Sequence, residues 1–359
     1  MAAIAPFTFD STMPRVVFGE GSLSRLPEEL DRLGVKRALL LSTPGRGALV
    51  QAVRDILGAR VAGAYDRAVM HVPVQVAEDA RRLAQTLGAD ACVALGGGST
   101  VGLGKAVALT SGMPVLAVPT TYSGSEMTPI LGMTENGLKR TVRDAKVLPR
   151  TVIYDPMLTT GLPAALSAAS GMNAMAHSVE ALYARDANPV SSLMAEESIR
   201  ALAAALPVVV SDPGNLAARG EALYGAWLAG AVLATVGMSL HHKLCHTLGG
   251  SFGLPHAETH AFVLPHATRY NRDAAPGAMR RIARALGVSG EAEAAPALYD
   301  LEIKLGLKPG LAALGLKEAD LERAARIATE APYPNPRPVE YEGVLALLRD
   351  AHAGRRPAH

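Results

Sequence analysis

Asp90-Ala-Cys-Val-Ala-Leu-Gly-Gly-Gly-Ser-Thr100 is an apolar run that ends in three glycines and opens into a helix-patterned stretch. Gly96, Gly97 and Gly98 let the backbone approach a ligand with no Cβ in the way. The helix that follows turns its free N–H groups and positive end toward the same point. A diphosphate suits that point, although a tight strand-to-helix turn uses the same residues and the run is not G-x-G-x-x-G. A second loop, Pro119-Thr-Thr-Tyr-Ser-Gly-Ser-Glu126, concentrates hydroxyls and backbone donors after the next apolar run. Two such loops at neighbouring strand ends describe a dinucleotide crevice, because ligands of open α/β sheets sit at the carboxyl ends of strands. Outward from this pair, short apolar runs at 38–41, 61–65, 91–95, 115–118 and 152–154 read as strands. Helical patterns near 47–57, 75–87 and 99–110 alternate with them, as in a parallel sheet wrapped by helices.

After Pro156 the strand signals stop. Ala/Leu-rich segments near 164–185, 190–206, 216–236, 275–286, 317–330 and 339–352 predict an all-helical second half, with the boundary at Pro156, Gly161 and Pro163. The expected domains are 1–160 and 161–359. A 359-residue chain with 49% apolar and 19% charged residues is neither disordered nor collagen-like. A net charge of +2 and 4% aromatic content leave no case for a nucleic-acid partner. The uncharged run Ala222–Leu240 approaches bilayer length, but its glycines and the histidines after it favour a buried helix, so no membrane partner is expected. The N-terminus lacks the pattern of a secretory signal, and Cys92 and Cys245 make no disulfide framework, so the expected compartment is the cytoplasm. The last residues, 353–359, are expected to fray.

Six of the ten histidines fall between His241 and His266, and His177 lies upstream. Asn173 and His177 are four apart, as are His242 and His246, so each pair shares a helix face. His256 follows Gly-Leu-Pro in an expected turn. Imidazoles arriving from several segments build a metal site, a set of donors around an oxygen-rich substrate, or polar packing beside Gly249 and Gly250. A divalent ion would normally add a carboxylate. Position 173 is an amide.

Gly-Gly-Gly-Ser at 96–99 with Lys105, Pro-Thr-Thr-x-x-Gly-Ser-Glu at 119–126, Asp155-Pro156, Gly171-Met-Asn-Ala-Met-Ala-His177 and His242-x3-His246-x9-His256 together resemble the iron-containing alcohol dehydrogenase family. The resemblance implies an α/β dinucleotide-binding domain with a parallel sheet plus an all-helical domain, also called dehydroquinate synthase-like, with the substrate site in the cleft between them. Members with metal use an aspartate and three histidines, which fall here on Asn173, His177, His242 and His256. Asn173 and Gly102 both stand where the family has aspartates. With Gly-Leu-Gly-Lys at 102–105 they make the sequence look like the maleylacetate-reducing branch, which reduces a carbon–carbon double bond in bacterial breakdown of aromatic compounds and does not clearly need metal.

The catalytic set expected is His177, His242, His246 and His256, with Asn173, His241 and Lys243 on substrate. The cofactor set expected is Thr43, Arg46, Gly96, Gly97, Gly98, Ser99, Thr120, Thr121, Ser125 and Lys146. Dinucleotide folds generally place an acid against the adenosine ribose where this chain has Thr43, and Arg46 follows. Nothing there repels a 2′-phosphate, so NADH and NADPH are both expected to serve. The expected partners are a small dicarboxylate and a second copy of the chain, with no metal required. The competing readings are a metal-dependent alcohol or polyol dehydrogenase and a nucleotide-binding regulator without turnover.

Overall fold

The computed structural model describes residues 6–70, 72–135, 138–308 and 310–358. They form two compact units: Thr12–Leu162 with Gly214–Leu223, and Pro163–Pro213 with residues 6–11 and Tyr224 onward.

In the first unit six parallel strands lie in the order β1-β8-β5-β4-β2-β3. They are β1 (Arg15–Phe18), β2 (Ala38–Leu41), β3 (Val61–Tyr65), β4 (Ala91–Gly96), β5 (Val115–Pro119) and β8 (Thr151–Tyr154). The inner four, β8, β5, β4 and β2, are buried at every residue, which is why they read as unbroken apolar runs rather than alternating ones. Helices α1 (Leu26–Arg32) and α2 (Gly47–Leu57) cover one face, with Leu26, Leu30, Val53 and Leu57 packed on Leu40, Val93, Leu116 and Ile153. On the other face α4 (Gly98–Ser111), flanked by α3 (Val74–Thr86), comes close enough that a Cβ on Gly104 would sit 3.1 Å from Val115. The ribbon β6 (Ile130–Glu135) and β7 (Leu138–Arg143) is a separate antiparallel pair. It and the edge strand β1 have no counterpart in the sequence reading.

Glu29 ties α1 to two strands. Its buried carboxylate accepts from Arg15 Nε at 3.0 Å, Arg32 Nε at 3.1 Å and the Thr151 hydroxyl at 3.2 Å. Burial pushes its pKa up, but the hydrogen bonds from Arg15 and Arg32 outweigh that and hold it below the usual glutamate value.

The second unit is helical. It contains α5 (Ala164–Leu182), α6 (Pro189–Ser211), the end of α7 (Leu216–Thr235), α8 (Leu240–Phe252), α9 (His256–Asn271), α10 (Pro276–Ala285), α11 (Ala294–Lys304), α12 (Leu321–Thr329) and α13 (Tyr341–Ala353). From Ser167 to Leu182 every residue of α5 is buried, so the helix carries no polar stripe. Glycines allow its neighbours to close in. A Cβ on Gly225 of α7 would meet the backbone of α6 at 3.2 Å.

Three expectations need correction. The uncharged run at 222–240 is not one helix: α7 ends at Thr235, and α8 starts at Leu240 at 97° to it. Among the described residues no single helix is long and apolar enough to cross a membrane. His256 is not in a turn but opens α9 directly after Pro255, which presets the backbone for a helix start. The C-terminal residues described do not fray, since Arg356 forms a two-pronged ion pair with Asp300 and Tyr299 donates to Gly354 O at 2.7 Å.

Glu29→Gln should cost about 2 kcal/mol at pH 7, the value of hydrogen bonds to a buried charge. Because the folded-state pKa of Glu29 is depressed, its contribution is present above pH 4.5 and fades as pH falls through the folded value. Urea unfolding of wild type and variant should therefore show a gap at pH 7 that closes in acid.

Candidate active site

The histidines of α5, α8 and α9 converge in the second unit. Ligand nitrogens of His177, His242 and His260 lie within 4.8 Å of one another, and all three side chains are buried. The His242 ring is 5.2 Å from that of His177 and 5.0 Å from that of His260. His177 Nδ1 and both ring nitrogens of His260 have no hydrogen-bond partner among the described residues, and neither does the amide oxygen of Asn173. Buried polar atoms are normally paired, so this group of orphans marks a place built to receive something.

Glu180, one turn beyond His177, anchors the cluster. Its carboxylate is fully buried and accepts from the backbone N–H groups of Ser239 at 3.0 Å and His241 at 2.9 Å, at the start of α8. The positive end of α8 therefore faces a negative group that no solvent screens. The same carboxylate lies 2.7 Å from His242 Nδ1, which donates to it. That bond puts the proton of a neutral His242 on Nδ1 and leaves Nε2 as the atom for chemistry. Burial raises the pKa of Glu180, opposed by His241 and by the backbone donors.

Burial likewise drives His177 and His260 well below the usual imidazole pKa, and the neighbouring imidazoles push them further down. His241 is lowered to about 4, again chiefly by burial. These three rings are neutral near pH 7.

The expected residues separate on inspection. His177 and His242 meet, as the family resemblance implied, and Asn173 lies on the same face of α5 one turn earlier. His256 is half-buried, its ring 4.2 Å from that of His260. His246 is exposed, 6.1 Å from the His242 ring. His241 is fully buried, its Nε2 donates to the His260 carbonyl at 2.8 Å, and its Nδ1 lies 3.4 Å from His242 Nδ1, so its one ring proton is spent on α9. Lys243 is half-buried with its ammonium 6.0 Å from the Tyr333 ring and no carboxylate partner among the described residues. His260 and Glu180 were not singled out. Glu180 left a signal in the sequence, as the one acid in an otherwise uncharged helix from 164 to 182.

In the first unit the two loops meet as expected from neighbouring strands, with Gly96 in register with Pro119. Gly96 has φ +155, and a Cβ there would strike the Thr100 hydroxyl at 2.5 Å. At Gly97 a Cβ would lie 2.8 Å from the Thr121 hydroxyl, and at Gly98 3.5 Å from Ser123. No side chain caps α4, so its first N–H groups await a ligand. The buried hydroxyls of Thr100 and Thr120 also lack partners among the described residues. Lys105, fully buried, reaches from α4 to Ser125 O at 2.5 Å, Ile130 O at 2.8 Å and the Thr128 hydroxyl at 3.0 Å. Ser125 thus holds the loop rather than facing outward. Burial lowers the Lys105 pKa to about 7, against the pull of Glu126. At Gly102, where the family has an aspartate, a Cβ would meet Val72 at 2.8 Å; Val72 itself has a strained φ of +42. Thr43 and Arg46 lie between β2 and α2, both part-exposed, while Lys146 is exposed in a short turn after β7.

The family model described as "Iron-containing alcohol dehydrogenase" matches residues 14–156, and that described as "Fe-containing alcohol dehydrogenase family, C-terminal" matches 167–352. The chain belongs to the iron-containing alcohol dehydrogenase family. It is 57% identical over 352 residues to a maleylacetate reductase of Burkholderia cepacia, covering 98% of this chain and 99% of the relative. A maleylacetate reductase of Sphingobium indicum is 53% identical, with 98% and 99% covered. The crystal structure of maleylacetate reductase from Agrobacterium tumefaciens superposes with a TM-score of 0.94 at 51% identity, covering 99% of this chain and all of that one. As a member of this family the chain is an NAD(P)H-dependent oxidoreductase.

The family name raises the question of a metal. By position and type the imidazoles of His177, His242 and His260 fit a divalent transition ion. They would hold it with no charge on any ligand, because residue 173 is an amide and the nearby acid, Glu180, is committed to α8 and to His242 Nδ1.

Glu180→Gln should lower turnover about 10–100-fold, the usual effect of removing a carboxylate that orients a functional imidazole. NADH affinity, read by fluorescence titration, should stay within about twofold of wild type, since the glycine turn is untouched. Equal turnover in wild type and variant would remove Glu180 from the site.

Proposed function

We infer that this chain reduces the carbon–carbon double bond of maleylacetate with NADH or NADPH to give 3-oxoadipate. The observation that carries this reading is the buried neutral amide at position 173, one helical turn before His177 of the imidazole cluster, in a chain more than half identical to maleylacetate reductases. Maleylacetate is a dicarboxylate whose alkene is conjugated to a ketone. Hydride from C4 of the nicotinamide adds to the alkene carbon β to the ketone, negative charge gathers on the ketone oxygen, and a proton is then delivered to the adjacent carbon.

In this reading the oxygen is met by an N–H of the buried neutral imidazoles, His177 foremost, in a dry setting where such a donor is worth most. His242, backed by the Glu180 carboxylate, is the proton donor: the carboxylate stabilises the imidazolium and holds the ring in one orientation. His246 and His256, less buried, supply the path by which solvent returns the proton. Lys243 takes a substrate carboxylate, supported by its lack of a carboxylate partner among the described residues. A divalent ion held by His177, His242 and His260 would act as a Lewis acid on the ketone. The donor set makes that ion dispensable.

For the cofactor, the three glycines, the uncapped start of α4 and the orphaned hydroxyls of Thr100 and Thr120 support a diphosphate site. Thr43 and Arg46 support use of both NADH and NADPH. The same reading carries a homodimer in a reducing cytoplasm, consistent with two free buried cysteines, and a place in bacterial breakdown of aromatic compounds.

Consumption of NADH with maleylacetate, set against a panel of simple alcohols and aldehydes, tests the substrate. Activity should be confined to maleylacetate and should survive exhaustive chelation. Loss on chelation with recovery on iron or zinc would return the site to metal chemistry. Arg46→Ala should lower kcat/KM with NADPH and leave NADH unchanged; a wild-type preference for NADH above about 100-fold would contradict the absence of a repelling acid.

A further inference from the structure

A cavity of about 300 Å³ opens in the helical unit where the last part of α9 meets α13 and the C-terminal residues. Its lining holds four arginines and a buried histidine, His266, against a single acid, Asp350. Two of the arginines are already matched: Arg355 pairs with Asp350 at 3.0 Å, and Arg356 pairs with Asp300. Arg269 and Arg337 have no carboxylate partner among the described residues. The field of both reaches Asp273, but that acid is bonded to Arg272. His266 is 4% exposed and its Nε2 has no hydrogen-bond partner among the described residues, so a buried ring atom stands unsatisfied in the wall of a cationic cavity. A buried ring nitrogen in that state calls for a hydrogen-bond partner, and an anion oxygen meets it when the ring proton sits on Nε2.

The walls are held in place. The Arg337 guanidinium carbon lies over Tyr270, 4.3 Å from the ring centroid, and Tyr270 donates to Pro338 O at 2.7 Å. Asn335 bonds Asn271 of α9 and the Arg337 carbonyl, which fixes the segment that carries Arg337. Gly343 lets α13 close on the same tyrosine, since a Cβ there would meet its ring at 2.9 Å. Pre-set guanidinium groups lose little freedom on taking a ligand. Planar forks of this kind suit carboxylates and phosphates.

We propose that this cavity binds a small dianion, a phosphate or a short dicarboxylate, through Arg269, Arg337 and His266. The site is separate from the imidazole cluster: His266 sits six residues beyond His260 on α9, about 9 Å along the helix. The cavity volume falls at the small end of ligand pockets, which fits a dianion of a few carbons and excludes a nucleotide.

Isothermal titration of the full-length protein with inorganic phosphate, and separately with succinate, at fixed ionic strength tests the proposal. At least one of the two should saturate at one per chain with a Kd of about 1 mM or tighter. The two arms tell oxyanion from dicarboxylate. Arg337→Gln, a change on an exposed loop, and the double variant Arg269→Gln/Arg337→Gln should each weaken that binding by about tenfold or more. Far-UV circular dichroism and unchanged NADH turnover show that the variants are folded, and the single variant decides if the double one is not. Failure of both anions to saturate, or the same Kd in wild type and Arg337→Gln, overturns the proposal; the latter places any binding at the imidazole cluster or the glycine turn.

Discussion

A carboxylate with no water around it must find donors or lose its charge, and Glu180 meets that constraint with the start of α8 and with His242. The consequence runs outward from one side chain. α8 must begin where its N–H groups reach Glu180, so the chain breaks after Thr235 and turns sharply. His242 must present Nδ1 to the carboxylate, so Nε2 is directed to the remaining imidazoles. α9 must then pass close enough for the His260 carbonyl to take the Nε2 proton of His241. Removing Glu180 would leave an uncapped buried helix start and a histidine with no preferred orientation.

The other unit presents backbone and hydroxyls in place of imidazoles. Phosphate oxygens need close N–H groups and no intervening Cβ, and three successive glycines at the carboxyl end of a central strand provide that. Lys105 then draws the second loop toward α4 through three oxygens, which keeps Thr120 and Thr121 beside the glycines. In the proposed function the chemistry is thus divided: neutral donors and one buried carboxylate for the reacting carbonyl, backbone and hydroxyls for the cofactor.

Much of this was legible in the residues. The four buried strands showed because both faces are covered, so apolar side chains run on without interruption. The edge strand Arg15–Phe18 did not, being four residues long with one buried side chain. The ribbon from Ile130 to Arg143 was missed although Asn136-Gly137 lies between its strands, a pair that favours hairpin turns. Helix α8 showed only as the face shared by His242 and His246, and α9 did not show, since it opens after Pro255 and carries Pro265 in its interior, a cost outweighed by tertiary packing. His260 was overlooked because a histidine on a helix not yet recognised has no face to share. Asn173 and the glycine turn showed because their chemistry departs from ordinary packing. His241 was drawn toward substrate by its position in sequence, whereas only the fold shows its Nε2 proton committed to the His260 carbonyl.

The account stands on the bond between Glu180 and His242, and side-chain 15N NMR of histidine-labelled protein reads it directly. The His242 resonances, assigned by their loss in His242→Gln, should show a protonated Nδ1 at neutral pH, whether or not Nε2 also carries a proton. A neutral ring with its proton on Nε2 and a bare Nδ1 would contradict the account, because Glu180 would then hold no proton of His242 and the orientation of the cluster would need another cause.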